Sequence, residues 1–193
     1  FSGSFGTEGS HRDYESIEAC ALTPPTKANQ FAVFGVETLN FEHAVLQFGG
    51  RVERNAYDSL SLEDRGFTGF SGAVGLRVPL PRDFSFVTNF SSSYRAPALE
   101  ELYNFGPHRG NLAFEIGDVN LDRERTTGFD AGIRHTSSRV QFDVNAYVYS
   151  ISNFIYLAPT NAVEDGLVVS NFSGADTRFK GVEARADIGL HRY

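Results

Sequence analysis

Residues 126–150 read TTGFDAGIRHTSSRVQFDVNAYVYS. In the first half Phe129, Ala131 and Ile133 alternate with Asp130, Gly132 and Arg134. After Thr136-Ser137-Ser138, the residues Val140, Phe142, Val144, Ala146 and Val148 alternate with Gln141, Asp143, Asn145, Tyr147 and Tyr149. A period of two is the repeat of a strand, and the tight turn between the halves makes them a hairpin. The second face is what decides the architecture. Asp130, Arg134 and Asp143 are too polar for a sandwich core, yet they stand opposite a clean apolar row. A wall with lipid on one side and a wet or plugged lumen on the other satisfies both faces. A soluble antiparallel sheet with one wet face gives the same alternation, so loop lengths must separate the two.

The same period extends along the chain, over Gln30–Leu39, His43–Arg54, Phe67–Val78, Phe84–Tyr94 and Phe179–Leu190. Ala32, Phe34 and Val36 share a face, as do Ala44, Leu46, Phe48 and Val52, then Phe70, Val74, Leu76 and Val78. Phe84, Phe86, Phe90 and Tyr94 follow, and last Val182, Ala184, Ala186 and Ile188, opposite Glu183, Arg185 and Asp187. Short connections near Asn40–Glu42, Pro79–Asp83 and Thr136–Ser138 alternate with long ones at residues 1–29, 55–66, 95–124 and 152–178. Long loops on one side and short turns on the other are the habit of outer-membrane barrels. The expected fold is therefore all-β, an antiparallel meander of about seven strands forming part of a large transmembrane barrel wall. An odd number of strands cannot close such a barrel, and Tyr193 falls out of phase with the last apolar row. Residues 1–193 thus read as an internal stretch of a barrel domain. Phe1 with no Met anywhere agrees with a removed leader or a longer parent.

Composition narrows the function. A net charge of −7, with Lys27 and Lys180 the only lysines, argues against nucleic-acid binding. No apolar run is long enough for a transmembrane helix, which leaves barrel strands untouched. Cys20 stands alone, so an internal disulfide is not available and no C-x-x-C zinc pattern exists. No nucleophile elbow, phosphate loop or dinucleotide fingerprint is present, and the chain reads as a non-enzyme.

The stretch Ser92-Ser93-Tyr94-Arg95-Ala96-Pro97-Ala98-Leu99-Glu100-Glu101-Leu102-Tyr103 resembles a recurrent motif of TonB-dependent outer-membrane receptors, in which Tyr94, Arg95, Ala96, Pro97, Glu101, Leu102 and Tyr103 are the matching positions. Phe114-Glu115-Ile116-Gly117-Asp118, Asn120-Leu121, Glu124, Asn153-Phe154-Ile155-Tyr156-Leu157 and Phe179-Lys180-Gly181-Val182-Glu183 match in order. Leu22-Thr23-Pro24-Pro25-Thr26 and Tyr103-Asn104-Phe105-Gly106-Pro107-His108 look most like the zinc-uptake branch, and receptors for metal chelates share much of them. The resemblance implies a plugged barrel of about 22 strands in the outer membrane of a Gram-negative bacterium. It also implies active uptake of a scarce metal ion or chelate, with the TonB energy-coupling protein pulling on a plug. Plug and C-terminal strands would lie outside these residues. No cofactor is implied; zinc enters as the transported substrate.

The loops offer candidate ligands. Pro97 removes a ladder donor and ends the strand, with a turn or two of helix expected to Tyr103. Arg95 either bridges carboxylates at the barrel mouth or stands as a solvated rim charge. His11 and His108 fall in long loops; His43 and His135 lie by the short turns. Zinc wants three or four N, S or O donors. His108, with Glu115 or Asp118 behind it, is the expected metal-binding set, against the plainer reading of a solvated histidine. Tyr103, Phe105, Phe114, Phe154, Tyr156 and Phe172 either stack on a chelate or belong to an interfacial aromatic girdle.

Overall fold

The computed structural model describes residues 1–15 and 22–190. Eight long strands follow one another as an antiparallel meander. They are β1 Ser2–Tyr14, β2 Thr26–Asn40, β3 Val45–Ser59, β4 Arg65–Leu80, β5 Phe84–Arg95, β8 Glu124–Thr136, β9 Val140–Glu164 and β10 Leu167–Ile188. Between β5 and β8 the chain forms α1 Leu99–Tyr103 and a small hairpin, β6 Phe105–His108 with β7 Ala113–Ile116. One open sheet holds all ten strands in the order β1-β2-β3-β4-β5-β8-β9-β10-β7-β6. Among the described residues only the β10–β7 pairing is parallel.

Cross-strand register fixes the two faces. Phe48, Val74, Phe90, Phe129 and Val148 are successive partners across the sheet, and all are exposed. On the opposite face Asn89 pairs with Asp130, Arg134 with Asp143, Asp143 with Arg185 and Asn145 with Glu183. An uncovered row of large apolar side chains backed by a charged row is the transverse pattern of a barrel wall. Both rows continue over many strands because the side-chain period is two, and the turns keep the register.

Four sequence expectations change. Strand β1 lies in what reads as loop 1–29, and residues 152–178 are the upper halves of β9 and β10, closed by the two-residue turn Asp165-Gly166 with positive φ at both positions. The seven expected strands are therefore eight long and two short. The row Ala32, Phe34 and Val36 does not continue the apolar face of β3: Phe34 pairs with Arg51 and Ala32 with Glu53. Phe31 and Val33, opposite Arg54 and Val52, take the outward side. Both faces of β2 are apolar, so only pairing with β3 decides between them. Tyr94 also leaves its expected row. The β4–β5 ladder stops at Ser92, the Tyr94 N–H donates to Ser71 Oγ at 3.0 Å, and Asn55 Nδ2 donates to the phenol oxygen at 3.4 Å. Its ring occupies the space where a Cβ on Gly69 would stand. Cys20, His191 and Tyr193 lie outside the described residues.

Candidate functional site

The β5–β8 connection carries the motif, and its packing starts at Pro97. Pro97 ends pairing, and Tyr57 Oη donates to its carbonyl at 2.8 Å. The N–H of Ala98 donates to Glu101 Oε2 at 2.7 Å, so the Glu three residues on caps the helix it belongs to. α1 then turns Leu99, Leu102 and Tyr103 into a buried cluster with Phe67, Leu121 and Ile155. Tyr103 is 1% exposed and its hydroxyl donates to the Glu63 carbonyl at 2.9 Å. Burial first, then the charge of Asp64, pushes this phenol up to about 12. In this structure Tyr103 supports the loop from beneath.

Arg95 joins the loop to the wall. Its Nε and Nη2 each donate to Glu124 at 2.7 Å, and Nη1 and Nη2 donate to Glu101 at 2.9 and 3.1 Å. One planar guanidinium thus holds two carboxylates in fork geometry. Of the two sequence readings, the bridge is the geometry observed. Glu124 also accepts the N–H of Ile155 at 2.7 Å. Burial alone would raise the Glu124 pKa; the Arg95 and Ile155 donors outweigh it and hold the carboxyl below its usual range. Reciprocally, Glu124 keeps the guanidinium above its usual value against burial, with Glu101 adding to the effect.

The second centre is Glu115 on β7. Its side chain is 2% exposed and accepts from Asn104 Nδ2 at 2.8 Å, Asn111 Nδ2 at 2.6 Å and His108 Nδ1 at 2.8 Å. Burial pushes its pKa up, but the donors of Asn111, His108 and Asn104 more than offset this and leave it lowered. A carboxylate ionised at neutral pH only accepts, so His108 Nδ1 carries the proton of that bond. Neutral His108 then has its lone pair on Nε2, and its side chain is 41% exposed. A carboxylate orienting an imidazole whose other nitrogen is free is the arrangement that prepares a histidine for a metal. Thr23 donates its hydroxyl to Asn104 Oδ1, and Phe105 N–H donates to the Leu22 carbonyl at 2.6 Å. The Leu22–Pro25 segment is thereby fastened to this loop.

Of the expected ligand set, His108 and Glu115 meet and Asp118 stands apart. Asp118 caps its own turn by accepting from the backbone and side chain of Asn120 at 2.8 and 3.2 Å. Among the described residues no three His, Cys, Asp or Glu side chains gather closely enough to hold an ion. Asn104 and Asn111 were not singled out as site residues from the sequence; the only signal was two amides 11 and 4 residues before a Glu in an apolar run.

A family profile described as "TonB dependent receptor-like, beta-barrel" matches residues 2–191. The chain belongs to this family, whose members are outer-membrane β-barrels of Gram-negative bacteria and are transporters, not enzymes. Among solved structures, the chain is similar to the copper transporter OprC, with 20% identity, a TM-score of 0.72, and coverage of 86% of this chain and 27% of that one. It is similar to the Serratia marcescens hemophore receptor HasR, a double mutant in complex with its hemophore HasA and heme (14% identity, TM-score 0.77, 97% of this chain and 39% of that one). The siderophore receptor PirA from Pseudomonas aeruginosa also matches (16% identity, TM-score 0.58, 86% and 41%). The chain spans about a quarter to two fifths of these receptors.

Proposed function

We propose that the receptor containing this wall actively imports a scarce metal ion or metal chelate, energised by TonB through a plug these residues do not include, and that zinc is the ion it favours. The observation that carries the zinc reading is His108: Glu115 holds its Nδ1, which leaves Nε2 without a hydrogen-bond partner among the described residues on a side chain that is 41% exposed. Imidazole suits zinc, and the net charge of −7 draws cations toward the protein. Glu115 acts here as the orienting group, its oxygens being filled by three side-chain donors. The remaining ligands come from other segments of the receptor, since three donors in one loop are rarely preorganised. Arg95 and Tyr103 serve the site by fixing the loop on the rim, and Asp118 by shaping its last turn.

A second reading, uptake of a chelated metal, is favoured by Phe105. It lies three residues before His108, is 64% exposed, and rests edge-on against Phe114 with ring centroids 5.4 Å apart. Such a ring offers a planar ligand a stacking surface. The similar receptors for copper, hemophore-borne heme and a siderophore support metal cargo in general.

Calorimetry on the intact receptor separates the readings. Under the zinc reading the receptor binds zinc ions, and His108→Ala weakens that binding by about tenfold or more. Unchanged affinity removes His108, and a parent protein that does not bind zinc removes the zinc reading.

A further inference from the structure

His108 is held by a relay of hydrogen bonds that begins far from it in sequence. The Thr23 hydroxyl, on the β1–β2 connection, donates to Asn104 Oδ1, 81 residues further along the chain. Asn104 Nδ2 donates to Glu115 Oε2 at 2.8 Å, and Glu115 Oε1 receives His108 Nδ1 at 2.8 Å. Thr23, Asn104 and Glu115 are all buried, so little water is at hand to replace a lost link. Among the described residues Thr23 is the sole donor to Asn104 Oδ1, and Asn104 is the sole donor to Glu115 Oε2.

The two ends of the relay stand on different ground. His108 and Asn111 belong to the β6–β7 turn, in which the Asn111 N–H donates to the His108 carbonyl at 3.1 Å and Leu112 takes a φ of 52°. Asn111 also donates to Glu115 Oε1, at 2.6 Å, but it rides on the turn that carries His108. Asn104 does not. Its N–H donates to the Glu100 carbonyl of α1 at 3.1 Å, and its own carbonyl accepts the Gly117 N–H at 2.7 Å. A Cβ on Gly117 would stand 2.7 Å from the backbone of Leu102 and Tyr103, so the chain leaves β7 pressed against the end of α1. Thr23 is anchored in turn: the Leu22 carbonyl accepts the Phe105 N–H at 2.6 Å, and the Pro25 carbonyl accepts that of Leu60 at 3.2 Å. On the far side of the imidazole, a Cβ on Gly110 would come 3.6 Å from Nε2. Glycine there leaves the approach to that nitrogen open.

We infer that Thr23 and Asn104 are positioning residues for His108: they pin Glu115 Oε2 to the frame of α1 and the β1–β2 connection, so that Oε1 fixes the imidazole and Nε2 is presented beside Gly110. A glutamate held only by groups of the turn would follow the turn; a second oxygen tied to the frame removes that freedom. Losing the Thr23 hydroxyl leaves a buried amide oxygen without a donor, and an amide that turns to find one draws Nδ2 away from Glu115. Partners that orient a metal-binding histidine from behind govern metal affinity nearly as strongly as the ligands themselves.

For what Nε2 binds, the inference rests on the zinc reading, so its test has a metal-free arm. Calorimetry with zinc ions compares the intact receptor with its Thr23→Val, Thr23→Ser and Thr26→Val variants. In the same proteins without metal, solid-state NMR of isotope-labelled histidine reads which nitrogen of His108 carries the proton, the signal being assigned by its loss in His108→Ala. Thr26→Val controls for a loosened segment: it deletes a buried hydroxyl close by, whose bond goes to the Pro24 carbonyl at 2.8 Å and not into the relay. Thr23→Val should weaken zinc binding by about tenfold and mix the two ring tautomers. Thr23→Ser and Thr26→Val should keep the parent's affinity and its Nδ1–H form. In an Asn104→Ala background Thr23→Val should have no further effect, because it acts through that amide. Thermal transitions check folding, and Thr23→Ala replaces Thr23→Val should the latter misfold. Parent-like zinc affinity or an unchanged tautomer in Thr23→Val overturns the inference, as do equal losses in Thr23→Val and Thr26→Val or additive losses in the double variant. A parent that binds no zinc removes the zinc reading and leaves the tautomer to decide: mixing in Thr23→Val but not in Thr26→Val sustains the relay, and no mixing overturns it.

Discussion

Replacing Arg95 with Ala leaves Glu124 and Glu101 facing a shared space that holds little water, their side chains being 10% and 16% exposed. Glu124 keeps only the Ile155 N–H, and Glu101 only the N–H of Ala98. Removing one partner of a buried ion pair costs about 3–5 kcal/mol. Arg95 itself is 43% exposed, so solvent already screens part of the interaction, and the expected cost is about 2–3 kcal/mol. The strands pair without Arg95, so this cost falls on docking of the β5–β8 connection and not on the barrel as a whole. The assay is native-state hydrogen exchange of the intact receptor, followed at Leu102, Asn104 and Gly117, whose amides donate to Ala98, Glu100 and Asn104 carbonyls. A loss of this size speeds their exchange by about 30- to 150-fold. Changing Glu124 to Gln in the same protein removes the stranded charge while keeping an acceptor for Ile155, and should bring the cost back to about 1 kcal/mol. If the double variant exchanges as fast as the single one, or the single variant does not change, the clamp is not what holds the loop.

Three further outcomes are expected. Glu115 and Glu124 both titrate below their unfolded value, so the docked loop binds fewer protons than the open one; its stabilisation is complete above about pH 5 and is lost as pH falls through the folded pKa values. Exchange at Asn104 should therefore be level from pH 6 to 8 after correction for intrinsic rates, and accelerate below about pH 4.5; acceleration on raising the pH would contradict it. On β9, Val144→Arg should destabilise the barrel by about 2–4 kcal/mol if it lies near the bilayer midplane, and Asn145→Arg by much less, as measured by urea titration in lipid vesicles. Single cysteines at Leu60, His108 and Asp165 should react with an impermeant maleimide on intact cells and those at Phe41, Pro81 and Ser137 should not, because antiparallel pairing places the two sets at opposite ends of the strands; labelling at Ser137 without labelling at Asp165 would reverse the orientation.

Where lipid imposes a repeat on the chain, the sequence carries it. The rows of β3, β4, β8, the lower half of β9 and the end of β10 are legible because one side must be apolar and the other tolerates Asp130, Arg134 and Asp143. Above the membrane both sides of a strand are wet, so the alternation fades, and residues 152–178 look like a loop although they continue the ladder through Phe154–Ala175 and Ile151–Thr177. Strand β1 is hidden for a related reason: SGSFGTEGSHRDY offers only Phe5 and Tyr14 as large apolar side chains. Tyr94 reads as outward by parity; it stays paired with Arg125 on β8, but the β4 ladder ends at Ser92, Ser71 Oγ accepts its N–H and its ring lies over Gly69. For the candidate site, residue type pointed to His108 and Glu115, which meet. Nothing in spacing foretold that Asn104, Asn111 and Thr23 would complete the network, since those contacts depend on the β6–β7 turn and on a segment some 80 residues away. The resemblance located the Arg95 motif; its double carboxylate clamp is a fact of packing.

The account rests most on β9 being a lipid-facing wall with a defined parity. A nitroxide scan over residues 141–148 of the intact receptor in bilayers measures this directly, through collision rates with oxygen, which concentrates in lipid, and with a polar nickel complex. Oxygen accessibility should peak at Phe142, Val144, Ala146 and Val148 and fall at Gln141, Asp143, Asn145 and Tyr147, a period of two. Maxima at the second set, or high nickel accessibility at Val144 and Ala146, would contradict the wall.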